Sequence, residues 1–335
     1  MREGRLWGTV LLGYFLLGLP AILLVVLGVL GAMYHGPAPA IALVLGLLGV
    51  LALRGMWFEL RTVFQAPGVD PIHPARATRS AAAMFLGGLV TFVLVAEIGL
   101  SPVVAASITG IAAAVLHREL SIPAYCGAFV GMTSPVVFTA YWHGLVAATI
   151  AVCVYLIAQP VFHGVGGKLG TTAFVGATLA IIGTSESFLS DPLPEPEVIG
   201  LVVFYAMIAA VGTFMLHVRS PLDPVAASGA VGVLGGLALP LMYPNLGGLL
   251  AAGIYAASFA GMSDPSRIPD ERWMGLAGIG VGLVLVFTSP YVGGSGGKLG
   301  TIAFASCLAV YGLIGTFYRV LERVPFGRLP RDDIT

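Results

Sequence analysis

Apolar residues run along this chain in long stretches that short polar or glycine-rich segments separate. A transmembrane helix needs about 20 mostly apolar residues to cross a hydrocarbon core of roughly 30 Å. We identify twelve candidate spans, several of them short: residues 6–31, 39–53, 81–98, 103–116, 122–141, 144–159, 169–183, 198–216, 224–241, 246–262, 273–289 and 299–318. The pattern predicts an all-α polytopic membrane protein.

The composition agrees with this prediction and excludes several other classes of protein. Apolar residues make up 58% of the 335 residues and charged residues 10%, against about 25% charged residues in soluble proteins. The mean hydropathy is +0.97. Sixteen basic and sixteen acidic residues cancel, so no net charge favours nucleic acid as a partner. The cysteines have no metal-type spacing, and we expect neither a metal nor a cofactor.

The basic residues orient the predicted spans. Cytoplasmic loops of membrane proteins carry an excess of Lys and Arg, which gives an independent test of the span count. With the N-terminus in the cytoplasm, fifteen of the sixteen basic residues fall on the cytoplasmic face, and Lys298 is the exception. Residues 184–197 contain four carboxylates and no basic residue, and they fall outside. We therefore expect both termini to be cytoplasmic, in a prokaryotic inner (plasma) membrane.

A duplication divides most of the chain. Residues 164–174 (GVGGKLGTTAF) and 294–304 (GSGGKLGTIAF) are identical at nine of eleven places, and residues 125–135 match 255–265 at five of eleven with the same offset of 130. Since each copy holds five spans, the second would enter the membrane from the opposite face, a plan typical of secondary transporters and of some channels. The predicted units are two N-terminal helices with an Arg-rich cytoplasmic loop (1–79), repeat 1 (80–183), an acidic outer loop (184–197), repeat 2 (198–318) and a cytoplasmic tail (319–335).

The GGKLGT segments are the first candidate binding site. Glycine exposes backbone amides, and a helix N-terminus adds unpaired N–H groups and the positive end of its dipole, so a lysine and a threonine beside them favour a small anion. We expect Lys168 at the cytoplasmic end of a barrier and Lys298 at its outer end. The alternative is two surface turns whose lysines extend to the headgroups. The candidate residues are Gly166, Gly167, Lys168, Gly170 and Thr171, with Gly296, Gly297, Lys298, Gly300 and Thr301.

The second duplicated segment supplies further candidates. A proline after a glycine, a methionine and a hydroxyl group frees backbone carbonyls from helix bonding, and a helix broken within the membrane can line a polar cavity. The alternative is an ordinary helix end at the interface, and Asp264 favours it because charged residues follow. The candidate binding residues are Phe129, Thr133 and Ser134 in the first copy, with Phe259, Ser263 and Asp264 in the second.

Enzyme signatures are weak in this sequence. Residues 293–297 (GGSGG) formally match a G-x-S-x-G nucleophile pattern, but no histidine follows His217, and Val165 stands where the second copy has Ser295. The GGKLGT segment lacks the Ser or Thr that follows the lysine of a P-loop. We therefore expect a protein that is not an enzyme and has no catalytic residues.

The sequence favours a transport protein. We expect a small solute or anion to pass between the two repeats by a facilitator, an exchanger or a channel, because no span has an unambiguous carboxylate in its middle. The alternatives are an ion-coupled secondary transporter, and a non-transporting scaffold or embedded enzyme whose GGKLGT turns bind lipid phosphate. Expected partners are the solute and membrane lipid, with a homo-oligomer as a further option.

Overall fold

The computed structural model describes residues 2–36, 38–65 and 73–323. Regular structure in this part of the chain is helical, apart from one isolated β-bridge between Leu189 and Gly293. The helices are α1 (Arg2–Tyr34), α2 (Pro39–Gln65), α3 (Pro74–Ala96), α4 (Pro102–Leu116), α5 (Ser121–Gly131), α6 (Tyr141–Ile157), α7 (Lys168–Gly183), α8 (Pro196–Arg219), α9 (Pro224–Met242), α10 (Gly247–Gly261), α11 (Glu271–Phe287) and α12 (Lys298–Arg323).

Six of the described helices are long and apolar enough to cross a membrane: α1, α2, α3, α8, α9 and α12. The other six have 11 to 17 residues each. Large apolar side chains remain exposed on the outside of the bundle, for example Leu116 at 81% and Leu241 at 84%. The all-helical, apolar architecture fits an integral membrane protein.

Helix α2 is longer than its apolar stretch predicts. The predicted span ends at residue 53 because charged residues follow, but the helix continues to Gln65. Its arginines lie against aromatic rings of the same helix, with Arg54 4.9 Å from the centre of the Phe58 ring. Long basic side chains can lie along apolar surface in this way without ending a helix. Much of the segment predicted as an Arg-rich loop is therefore helical.

Helix α5 is shorter than predicted. Residues 122–141 were expected to form one span, yet the helix ends at Gly131 and residues 132–140 are irregular. Pro135 disfavours the helical conformation of the residue before it. In addition, the Thr133 hydroxyl donates to the carbonyl of Val130. Helix α10 ends in the same way at Gly261, four residues before Pro265.

Small residues allow the helices to pack closely. Helix α3 packs on α5 and α8 packs on α10, while α4 packs on α9 and α7 on α12. A methyl group on Gly127 would overlap the carbonyl oxygen of Met84 across the α3–α5 contact. A methyl group on Gly261 would lie 2.6 Å from the carbonyl oxygen of Ala210 across the α8–α10 contact. Glycine at such positions permits the backbone contact that drives helix association in membranes.

The helix ends collect on two sides of the bundle. On one side, which we call the basic side, ion pairs join Arg79 with Glu119, Arg118 with Asp223, and Arg219 with Glu271. We call the other side the acidic side. There the Tyr141 hydroxyl donates to Glu97 and the Thr139 hydroxyl donates to Glu186. Asp191 and Glu195 lie in the same connecting segment as Glu186. Glu97 is thus at an exposed helix end.

Candidate functional site

The two GGKLGT turns meet inside the bundle. A methyl group placed on Gly170 would lie 2.5 Å from the Cα atom of Gly300, and the reverse distance is also 2.5 Å. Helix α7 runs from this crossing to the acidic side, whereas α12 runs from it to the basic side. Gly170 and Gly183 are thirteen positions apart in α7, which is about 20 Å at 1.5 Å per residue. The crossing therefore lies well between the two sides.

This contact changes the predicted depth of Lys168 and Lys298 but keeps their order: each lies two residues before the crossing, Lys168 toward the basic side and Lys298 toward the acidic side. The prediction assumed that every apolar stretch ends at a membrane surface. In the structure, the α6–α7 hairpin enters from the acidic side and turns where Gln159 lines a cavity with Arg79 and Glu119 of the basic side. The α11–α12 hairpin enters from the basic side and turns beside Leu189 of the acidic segment. Both lysine ammonium groups donate to backbone carbonyls of their own hairpins instead of extending toward headgroups.

The two turns share an unusual backbone geometry. Each has three residues with positive φ at the same offset of 130: Phe162 (54°), Gly164 (74°) and Gly167 (82°), with Val292 (46°), Gly294 (74°) and Gly297 (82°). Glycine adopts these angles readily, but an aromatic or β-branched residue does so only when its surroundings impose it. Both turns are thus held in place by other parts of the chain.

Each lysine stabilises its own turn by binding backbone carbonyls. The Lys298 ammonium donates to the carbonyls of Thr288 and Tyr291, at 2.8 and 2.7 Å. The Lys168 ammonium donates in the same way to Gln159, at 3.3 Å, and to Val161. These carbonyls follow the C-terminal ends of α11 and α6, where a cation also faces the negative end of the helix dipole. Each lysine has one N–H group beyond these two bonds.

The backbone amides predicted as anion donors are also engaged. The Gly166 amide donates to the Ser263 hydroxyl and the Gly296 amide to the Thr133 hydroxyl, both at 3.0 Å. The hydroxyls of Thr171 and Thr301 donate to carbonyls one turn earlier in their own helices. The two glycine amides therefore connect one half of the chain with the other, while the threonine hydroxyls bond within their own half.

The second duplicated segment completes this connection. The Ser134 amide donates to the Gly294 carbonyl and the Asp264 amide to the Gly164 carbonyl, at 2.8 and 2.9 Å. The Asp264 side chain is exposed and accepts from the Ser266 amide. Hydrogen bonds from Ser266 hold the pKa of this carboxyl below its ordinary value, against partial burial that would raise it. Its exposure fits the helix-end interpretation.

Four aromatic rings occupy the contact between α5 and α10. The Phe129 and Phe259 ring centres lie 4.7 Å apart, and Tyr125 and Tyr255 pack on them at 4.3 and 4.4 Å. All four side chains are buried. The Tyr125 hydroxyl is 3.0 Å from the Ser228 hydroxyl. These rings fill the centre of the bundle with apolar material.

A cavity of about 620 Å³ leads from the acidic side to these rings. Asp191 lies at its entrance, and Phe129, Phe259 and Lys298 line its interior. Ser295 also lines it, with a hydroxyl that donates to the Val292 carbonyl. Such a volume is typical of sites for small molecules. We call it the acidic-side cavity.

A buried carboxylate on the basic side was missed from the sequence. Glu59 of α2 has a side chain that is 2% exposed, and its Oε2 atom lies 2.8 Å from an Arg267 nitrogen. Sequence reasoning missed it because the second span was ended at residue 53. Buried positions in α2 recur at Ala52, Met56, Glu59 and Val63, a helical spacing that could have extended the span. Glu59 lies six residues before the end of α2, so it adds a buried carboxylate without contradicting the expectation that no span has one in its middle.

Comparison of this chain with protein-family models, curated proteins and solved structures finds no match. Its geometry is therefore the basis for assigning a function.

Proposed function

We propose that this chain is an integral membrane transport protein that moves a small anion or a small polar solute between two inverted five-helix repeats. The observation that carries the proposal is the acidic-side cavity, which ends at the aromatic rings and at Lys298, where the two halves of the chain meet. A cavity that enters the contact between duplicated halves has the location of a solute site in many secondary transporters.

The helix contacts support an inverted relation between the halves. Helices α3 to α7 correspond to α8 to α12, and the pairs that pack in one half also pack in the other. Helix α7 runs opposite to α12, and the crossing places Gly170 against its own counterpart, Gly300. A residue that contacts its counterpart lies beside an axis of two-fold symmetry. In this proposal the chain crosses the membrane twelve times.

The charges support an orientation. Excess Lys and Arg mark the cytoplasmic face, so the basic side would face the cytoplasm and the acidic side the exterior. Lys298 no longer conflicts with this rule, because its ammonium is bound within the bundle rather than exposed in a loop. Both termini would then be cytoplasmic.

The cavity lining favours a small solute with negative or partial negative charge. Its walls are mainly apolar, and the Lys298 ammonium has a third N–H group available beside the cavity. A cavity of about 960 Å³ on the basic side is lined by Arg79, Glu119 and Gln159 but not by the central aromatic rings, which fits an exchanger or facilitated carrier with alternating access better than an open channel. Glu59 adds support for the alternative of an ion-coupled transporter, because a buried carboxylate within a membrane helix often serves in proton coupling.

Blocking the cavity tests the proposal. We would replace the three cysteines, reconstitute the protein in vesicles and measure uptake from a panel of small anions and neutral solutes. Met132→Cys places a thiol in the cavity wall, and Val136→Cys, at a side chain that is 71% exposed and does not line the cavity, is the matched control. A bulky polar thiol reagent added on the acidic side should abolish uptake through the first variant and leave the second unaffected.

Two results would contradict transport by this route. One is the absence of uptake above that of empty vesicles for every solute. The other is equal uptake by both reagent-treated variants. A scaffold that binds lipid phosphate predicts instead that anionic lipid co-purifies with the protein, and that replacing Lys168 and Lys298 with Ala reduces it without changing solute flux.

A further inference from the structure

An ion pair within the bundle holds the basic side together. Glu59 comes from α2, and Arg267 comes from the irregular segment between α10 and α11. Their side chains are 2% and 14% exposed, and the carboxylate oxygen lies 2.8 Å from the guanidinium nitrogen. Arg267 also donates to the Tyr311 hydroxyl of α12 and lies over that ring. The pair thus links α2 with both ends of the α11–α12 hairpin.

The same two side chains also hold the first GGKLGT turn. The other Glu59 oxygen accepts from the Phe162 amide at 2.6 Å, and the Arg267 Nε atom donates to the His163 carbonyl at 2.8 Å. Phe162 has the positive φ that an aromatic residue adopts only when its surroundings impose it. Its ring stacks on Tyr14 of α1, with 5.1 Å between ring centres. Helices α1 and α2 therefore fix this turn from outside the repeat.

On the acidic side, the described residues place an ion pair elsewhere, between His143 of α6 and Glu186, with 3.4 Å from Nε2 to Oε1. Val137 occupies the position that corresponds to Arg267 in the first half. There the second turn is held by two backbone hydrogen bonds between Leu189 and Gly293, at 2.9 Å each. The acidic-side cavity reaches the centre of the bundle beside this turn. The two sides thus differ in what holds the turn as well as in whether the centre can be reached.

We propose that the Glu59–Arg267 pair is the latch that closes the basic side of the path, and that α1 and α2 act as its gating element. This inference rests on the proposed function, since a gate requires a path between the repeats. Opening the basic side would move the segment that carries Arg267 away from α2. That movement separates two buried charges, so the intact pair favours the closed state.

A native thiol beneath the latch can report its state. The Cys307 Sγ atom of α12 is buried and lies 3.4 Å from the Ser263 hydroxyl, under the segment that carries Arg267. The Cys126 thiol is no independent reporter, because it donates to the Leu169 carbonyl of the turn that the pair holds. Thr91 of α3 is buried and donates to the Thr109 hydroxyl, away from that turn. A protein that keeps Cys307 alone therefore reports opening of the basic side, and a protein whose one thiol comes from Thr91→Cys reports general loosening of the bundle.

The test measures how fast a small polar thiol reagent, applied from the basic side, modifies each single-cysteine protein in membranes. Glu59→Gln keeps the shape of the side chain but removes its charge, and it should raise the Cys307 rate about tenfold or more while leaving the rate of the Thr91→Cys thiol unchanged. Arg267→Gln breaks the same pair from the other partner and should have the same effect. Glu97→Gln, at the exposed carboxylate on the acidic side, is the matched control and should change neither rate.

Three results would overturn the latch: no increase at Cys307 in either variant, an equal increase at both thiols, or an increase with one latch variant but not with the other. The assay needs no solute. Increased Cys307 labelling in a protein that transports nothing would therefore support the latch and contradict the transport function, whereas solute uptake without any change in labelling would do the reverse.

Discussion

The crossing of α7 and α12 leaves no room for a side chain, and Gly170→Ala tests this directly. The new methyl carbon would lie 2.5 Å from the Cα atom of Gly300. Carbon atoms in contact are normally about 3.5–4.0 Å apart, so the helices would have to separate by roughly 1 Å. The opposing atom belongs to the backbone, which cannot turn aside as a flexible side chain can. Overpacking of this kind costs about 1–3 kcal/mol.

Gly183→Ala, in the same helix, is the matched control. A methyl group there meets nothing within 4 Å. Replacing glycine with alanine in a helix by itself stabilises by about 0.5–1 kcal/mol, and this gain applies to both variants. The difference between the two free energies of unfolding therefore isolates the steric cost. We expect Gly170→Ala to be less stable than Gly183→Ala by about 1–3 kcal/mol, measured by reversible unfolding in detergent micelles.

The counterpart residue adds a test of symmetry. Gly300→Ala would place a methyl 2.5 Å from the Cα atom of Gly170, so it should cost the same as Gly170→Ala. Once the helices have separated to make room for one methyl group, the second methyl group requires less movement. The double variant should therefore lose less free energy of unfolding than the two single variants lose together. If Gly170→Ala proves as stable as Gly183→Ala, the close crossing described here does not exist.

Three further predictions concern the segments around the crossing. Thr133→Val removes the acceptor of the buried Gly296 amide with little change of shape and should lower the free energy of unfolding by about 1–3 kcal/mol. Thr149→Val, which loses a hydroxyl bonded within its own helix, is the control. Equal midpoints of thermal unfolding for the two variants would refute the prediction. Asp270 caps the N-terminus of α11, so Asp270→Ala should lower the free energy of unfolding by about 0.5–2 kcal/mol, while Asp270→Asn should retain most of the cap. Similar free energies of unfolding for the two variants would contradict this role. Because the pKa of Asp264 is lowered in the folded protein, its contribution to stability is present above the ordinary carboxyl pKa and lost as pH falls through the lowered value. The native protein should therefore lose more stability than Asp264→Asn between about pH 6 and pH 3, and parallel unfolding curves would show otherwise.

Much of the helical order could be predicted from the sequence, because apolar stretches and their flanking turns are local signals. Eleven of the twelve predicted spans overlap a single described helix, and span 122–141 covers most of α5 and the first residue of α6. Helix α7 begins at Lys168, one residue before the predicted span. The depth of its first turn could not be predicted in this way. Lysine in a loop suggests a membrane surface, whereas Lys168 pairs with carbonyls of a helix end that only the folded chain brings to it. Glu59 was missed for a related reason, since its partner Arg267 is 208 residues away.

In the proposed transport protein, the non-repeated parts of the chain determine which side is open. Two inverted copies with identical contacts would present equivalent turns to both sides, and neither side would differ from the other. The described contacts that break this equivalence come from outside the repeats: Glu59 of α2 binds the first turn, and Leu189 of the acidic segment binds the second. The Glu59 contact belongs to an ion pair with Arg267, and this pair must break when the basic side opens. The Leu189 contact consists of two backbone hydrogen bonds beside a cavity that is already open. Exchange between an outward-open and an inward-open state would therefore require the Glu59 contact to break while a contact on the acidic side forms. The energy difference between the two states would then depend on residues that bind no solute.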